Sequence, residues 1–142
     1  MKKIITIKKT ITMLVGVLFL VIPALAQNEE TMETNKISAI DLYKAFKENR
    51  EEPYKKIMQI SGIATYVGPD VYALPSIELS ETPNVSGQVL CVLPFSDYLK
   101  LRKVSKGDTV TMEGNVLGFS EKYDIVVVKQ CTIVEVNGKL EN

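Results

Sequence analysis

A chain of 142 residues has room for one domain with a modest core and not comfortably for two. The absence of histidine excludes Ser-His-Asp and Cys-His catalytic pairs, and Arg50 and Arg102 are the only arginines. Equal numbers of basic and acidic residues, 17 each, exclude the overall basic excess with which a generic nucleic-acid binder neutralises phosphates.

The N-terminus reads as a secretory signal peptide over residues 1–26. Lys2, Lys3, Lys8 and Lys9 form a basic start, Met13 to Ile22 an apolar centre, and Pro23 breaks the run before Ala24-Leu25-Ala26, whose alanines suit a signal peptidase. The apolar run is shorter than the ~18 residues a spanning helix needs, so an uncleaved anchor is the weaker alternative. Gln27 would be the new N-terminus; a lipoprotein signal needs cysteine there, so lipid anchoring by that route is disfavoured. Contact with the membrane is then expected only through the signal peptide before cleavage, and the product is expected to be periplasmic or secreted. Cleavage would remove four of the 17 basic residues and no acidic one, leaving 13 against 17, a net charge of −4.

Residues 27–36 are polar without periodicity and predict a flexible lead-in. The folded domain is expected over 37–137, with 138–142 as a tail. It starts with an amphipathic helix: Leu42, Ala45, Phe46 and Asn49 fall at helical spacing, Ser38 or Asp41 can cap its start, and Pro53 is expected to end it.

From Ile57 the period changes to two. In "IMQISGIATYV" the apolar set runs Met58, Ile60 and then slips at Gly62 to Ile63 and Val67, which predicts a bulge and a sharp bend at that glycine. Such a bend lets one strand pair with two neighbours, as a small closed barrel requires. "VYALPSIEL" predicts a second strand, placed at an edge or bulged by Pro75. "QVLCVLPF" predicts a third, apolar almost throughout, and "SDYLKLRKV" a short helix capped by Ser96 and stopped at Gly107. Val110, Met112, Gly114 and Val116 share one side of a fourth strand, and "DIVVVKQCTIVEV" predicts a fifth.

This order predicts a mainly β fold: a five-stranded Greek-key OB-fold barrel with an N-terminal helix and a helix between strands three and four. The leading helix with Asn49 and Tyr54-Lys55, "ISGIATYVG", "VLCVLPF", "KGDTVTMEGNVLGF" and "DIVVVKQCTIVE" together resemble the bacterial exported OB-fold family described as tRNA-anticodon-binding-domain-like, or tRNA_anti-like. The resemblance spans about Ser38 to Glu135. It implies fold and export, and it implies no ligand.

Cys91 and Cys131 fall in the third and fifth strands, neighbours in an OB-fold. Two readings stay open: buried free thiols, or a disulfide, whose loop of about 40 residues would contribute about 4 kcal/mol through loop closure. Two cysteines without histidine do not make a metal site, and no cofactor is expected. No G-x-S-x-G elbow or Ser-x-x-Lys sequence occurs, so the expectation is a protein that is not an enzyme.

OB-folds bind on the face of strands two and three, between the loops joining strands one to two and four to five. Here these segments, "YVGPDVYAL" and "GFSEKYD", would bring Tyr66, Tyr72, Phe119 and Tyr123 to one rim; Tyr66 and Phe119 could instead plug the barrel ends. The expected function is binding of a small molecule, oligosaccharide or peptide in the cell envelope. A single-stranded nucleic acid is disfavoured by charge and compartment, and docking to an envelope protein through a sheet edge is the third alternative.

Overall fold

Eight extended or helical segments and two 3₁₀ turns account for residues 35–141, the part of the chain that the computed structural model describes. The expected signal peptide and nearly all of the lead-in lie outside these residues. In chain order the elements are β1 (Lys36–Ser38), α1 (Ala39–Lys47), a 3₁₀ turn (Glu52–Tyr54), β2 (Ile57–Pro69), β3 (Pro75–Ser80), β4 (Val89–Val92), a 3₁₀ helix (Phe95–Lys103), β5 (Thr109–Ser120), β6 (Ile125–Val136) and β7 (Lys139–Leu140). β2 pairs with β3, β3 with β4, β4 with β6 in parallel, β6 with β5, and β5 returns to β2. That closed circuit of five strands is the OB-fold barrel. β1 adds in parallel to β2, and Lys139–Leu140, in the expected tail, pairs with β6.

The barrel closes because β2 serves two neighbours. Ile57 to Ile63 pairs with β5, and Ile63 to Pro69 pairs with β3. The slip in β2 is not at Gly62, as the apolar spacing suggests, but between Ala64 and Tyr66. Buried Ala64 continues the phase of Met58 and Ile60, and only after it does the strand change face. Gly62 is there for close packing: a Cβ would lie 3.0 Å from the Ser80 carbonyl oxygen and 3.1 Å from Ala39 Cβ.

Three local expectations are corrected for similar reasons. α1 ends at Lys47, before Pro53: just past its cap Asn49 takes φ 56°, its amide donates to the Phe46 carbonyl (3.3 Å), and the Arg50 amide donates to the Ala45 carbonyl (2.7 Å), the two bonds of a Schellman stop. Pro53 instead lies in the first turn of a 3₁₀ segment, where a missing N–H costs nothing. β3 is not an edge: Pro75 is its first residue, and the strand is paired on both sides. Ser96 lies inside the 3₁₀ helix that follows β4 and does not cap it. The Ser38 hydroxyl does cap α1, accepting the Asp41 amide at 3.2 Å.

The core follows from strand alternation. Val110, Met112, Gly114 and Val116 of β5 point inward with Ile77, Leu79, Val89, Cys91, Val126 and Val128 from the neighbouring strands. α1 touches β2, β3, β4 and β6 and lays Ala39, Leu42, Ala45 and Phe46 across one end of the barrel. Gly107, at φ 96°, turns the chain into β5, its amide bonded to the Ala64 carbonyl at 2.7 Å. Asp108 holds that turn through the Ser105 amide (2.8 Å) and Asn137 Nδ2 (3.1 Å), and the first of these, then the second, keeps its carboxyl below the usual value.

Candidate binding cleft

Residues paired across a sheet share a face, so strand register alone assembles a platform on the outside of the barrel. Tyr66 of β2 pairs with Glu78 of β3, Glu78 with Leu90 of β4, and Leu90 with Val127 of β6. The inward row beside it is Ile77, Cys91 and Val128, which is core. β4 and the start of β6 are thus apolar on both faces, and the outward residues Leu90 and Val127 are only part-buried. They form the floor of a cleft of about 650 Å³, with Ile125, Val92 and Ser76 beside them.

Two turns raise aromatic rings above this floor. In the β2–β3 turn Asp70 Oδ1 accepts the amides of Tyr72 (2.8 Å) and Leu74 (2.9 Å), while the Asp70 amide donates to the Leu74 carbonyl at 2.8 Å. Tyr72 stands on this braced tip 79% exposed. Tyr66 folds back along its own strand over Gly68, where a Cβ would meet its hydroxyl at 2.9 Å, and donates to the Pro69 carbonyl at 2.6 Å. Tyr123 stands on the β5–β6 turn, with Lys122 Nζ 5.0 Å from its ring centre.

The β5–β6 turn is anchored from the other end of the sequence. The Tyr43 hydroxyl and Lys47 Nζ of α1 donate to Asp124 at 2.8 and 3.0 Å. Lys47 first, then Tyr43, holds the Asp124 carboxyl below its usual value, and the same contacts raise the Tyr43 hydroxyl and the Lys47 ammonium.

Of the four aromatic residues expected at one rim, Tyr66, Tyr72 and Tyr123 line the cleft, and Phe119 does not. Phe119 packs edge-on against Tyr43 (centroids 6.2 Å apart, planes at 60°) with Lys47 Nζ 5.3 Å above it, in a separate hollow of about 600 Å³ beside α1. The register of β5 explains the separation. Irregular pairing between Val116 and Gly118 turns the end of the strand, so Phe119 faces α1 while Tyr123, beyond it, faces β3 and β4.

Glu78 sits in the middle of the platform, half-buried, and burial pushes its carboxyl above the ordinary value. Since the folded state holds this proton more tightly than the unfolded chain, the domain loses stability as pH rises from the ordinary carboxylate range through the raised value. Glu78→Gln does not titrate. Its melting temperature is therefore expected to exceed the parent's by a small margin at neutral pH and to match it below about pH 4, where both states of Glu78 are protonated. Thermal melts across that range check the sign; a lower melting temperature for Glu78→Gln at neutral pH contradicts it.

A sequence model of the tRNA_anti-like family matches residues 2–132. The chain belongs to the tRNA_anti-like family. No curated protein matches it. Among solved structures, a "putative nucleic acid-binding lipoprotein" from Klebsiella pneumoniae subsp. pneumoniae MGH 78578 is similar with a TM-score of 0.57 and 11% identity, over 75% of this chain and 97% of that one. At that identity the likeness is one of fold. OBody AM3L15, bound to hen egg-white lysozyme, is similar with a TM-score of 0.41 and 16% identity, over 61% of this chain and 83% of that one.

In this tRNA_anti-like domain Cys91 and Cys131 are both fully buried thiols. A hydrogen bond with Cys131, reinforced by burial, pushes the Cys91 thiol well above its usual value, and Cys131 Sγ lies 3.5 Å from the Val128 carbonyl. Of the basic residues around the second 3₁₀ helix, Lys100 pairs with Asp97 at 3.2 Å and Lys103 with Glu141 at 3.1 Å, consistent with a solvated helix face. Nothing in the sequence marks Glu78 out from other carboxylates, and no motif places Leu90 and Val127 in a site. The available signal was the apolar run "QVLCV" against "IVVV": a barrel has one interior, so strands apolar on both faces leave a row of apolar side chains outside it.

Proposed function

We propose that this domain is a non-enzymatic binding module of the cell envelope, which takes a small molecule, oligosaccharide or peptide in the cleft over β3 and β4. The observation that carries this reading is the joint placement of three part-exposed tyrosines, Tyr66, Tyr72 and Tyr123, around an apolar floor of Leu90 and Val127. A flat ring with a polar tip stacks on a sugar, a base or a peptide group, and the braced Asp70 turn holds Tyr72 in place before any ligand arrives. Export is supported by the signal-like residues 1–26 and by the lipoprotein description of the Klebsiella protein whose fold is similar.

A panel of glycans, nucleotides and peptides titrated against the protein tests the reading. Tyr72→Ala is expected to weaken the ligand that emerges by about tenfold or more, equivalent to about 1.4 kcal/mol. A ligand bound undiminished by a Tyr66→Ala/Tyr72→Ala double variant would place function elsewhere.

The name of the Klebsiella protein of similar fold, nucleic acid-binding, favours a second reading, in which a single strand stacks on the same rings. Against it stand Asp70, Glu78 and Asp124 along the cleft, where Lys129 is the one lining cation among the described residues. Phosphate binding tightens as salt is lowered, so a labelled oligonucleotide that shows no polarisation change at low salt removes this alternative.

A further inference from the structure

Among the described residues three carboxylates line the cleft, and two of them are already engaged. Asp70 braces its own turn through the Tyr72 and Leu74 amides, and Asp124 holds Tyr43 and Lys47 of α1. Glu78 differs: among the described residues its carboxylate has no hydrogen-bond partner and no ion pair, and Lys129, which also lines the cleft, does not pair with it. It lies in the middle of the Tyr66–Glu78–Leu90–Val127 row, pressed on one side by Gly87, where a Cβ would overlap Glu78 Oε2.

We propose that the cleft recognises an organic cation, with an alkylammonium or guanidinium group seated on the Glu78 carboxylate and its carbon stem lying over Leu90 and Val127 between the tyrosine rings. The inference rests on the binding-module reading of the same cleft and adds the chemistry of its ligand. A half-buried carboxylate without a partner has lost part of its hydration and gained nothing in exchange, so a bound cation restores what folding removed. The surroundings suit the rest of such a ligand. Aliphatic stems of basic groups bury well on apolar floors, and the faces of Tyr66 and Tyr72 attract positive charge, whereas the ring of Tyr123 already carries Lys122 Nζ. An anionic ligand would meet Glu78 at the centre of the site, whereas a neutral donor would hydrogen-bond its carboxylate without compensating the charge.

Two sources supply this chemistry, a free amine and the basic side chain of a peptide. Calorimetric titration with amide chemical-shift mapping separates them: cadaverine represents the first, lysine blocked at both backbone ends the second, and 1-pentanol and the side-chain-acetylated blocked lysine are their neutral counterparts. The expected result is that at least one charged probe shifts the amides of Tyr66, Glu78, Leu90 and Val127 and binds about tenfold or more tightly than its neutral counterpart. The stronger of the two charged probes then names the source. Glu78→Gln is expected to abolish the preference for charge. Gly87→Ala keeps the carboxylate but displaces it from its seat, and is expected to weaken the charged probe as well.

Equal binding of charged and neutral probes, or a charge preference that survives Glu78→Gln, overturns the inference and leaves the cleft itself standing as a binding site. Absence of binding by both charged probes, or shifts confined to residues outside the cleft, also overturns it. The binding-module reading is decided separately, by the response of the panel ligand to Tyr72→Ala.

Discussion

Gly114→Ala is expected to destabilise the domain by about 1–3 kcal/mol, the usual range for overpacking a filled core. The added Cβ would lie 2.6 Å from Cys131 Sγ, 2.8 Å from Val128 Cγ1 and 3.0 Å from the Lys129 carbonyl oxygen. Side chains can yield a few tenths of an ångström; the Lys129 carbonyl belongs to a paired strand and yields least. Replacing glycine by alanine restricts the unfolded chain and by itself favours folding by about 0.4–1 kcal/mol, so a net loss isolates the steric effect. The β5–β6 ladder is irregular between Glu113 and Asn115, and Gln130 adopts φ 52° just before Cys131. The thiol of Cys131 thus packs over the bare backbone of Gly114.

Coupling between the two sites tests this contact. In the Gly114→Ala background, Cys131→Ala removes the nearest of the clashing atoms, so the double variant is expected to be more stable than the sum of the single losses predicts, by about 0.5 kcal/mol or more. Urea denaturation of the parent and three variants measures it. Full additivity, or a Gly114→Ala protein as stable as the parent, would show that β6 shifts freely away from Gly114.

Leu42→Ala is expected to cost still more, about 2–5 kcal/mol, because the side chain is fully buried and its removal opens a cavity. Leu42 fills the end of the barrel under α1, together with Ala39, Ala45 and Phe46. Alanine is the best helix former, so the loss is one of packing and not of helix propensity. Small domains are stable by only about 5–15 kcal/mol, so the melting temperature should fall by roughly ten degrees or more. Lys44→Ala, on the exposed side of the same helix, is the control and should change stability by less than about 0.5 kcal/mol. Similar melting temperatures for the two variants would mean that α1 does not close the barrel.

The cleft was partly legible before the fold was known. Tyr66, Tyr72 and Tyr123 could be assigned to the loops that flank the binding face of an OB-fold, and they do meet there. Phe119 could not be separated from them, since its facing depends on an irregular stretch of the β5–β6 ladder that leaves no mark in apolar spacing. Glu78 looked like any surface carboxylate. Its isolation shows only when Asp70 and Asp124 are seen to be engaged, and the contact between Asp124 and Tyr43 joins residues 81 positions apart.

What the sequence determined by itself is what local physics decides. The two-residue period of β5 set its inward row, Ser38 set the start of α1, and Gly107 marked the turn before β5, although the helix ahead of it already ends at Lys103. The order of strands and helices, with one strand long enough to bend and pair twice, then left the OB-fold barrel as the consistent arrangement. Only the tertiary structure decided where β2 changes face, which aromatic rings share the cleft, that Gly114 yields its space to Cys131, and that Glu78 stands alone on the platform. Each of these depends on register between strands distant in the chain, and a slip of one residue in any ladder exchanges the inner and outer faces.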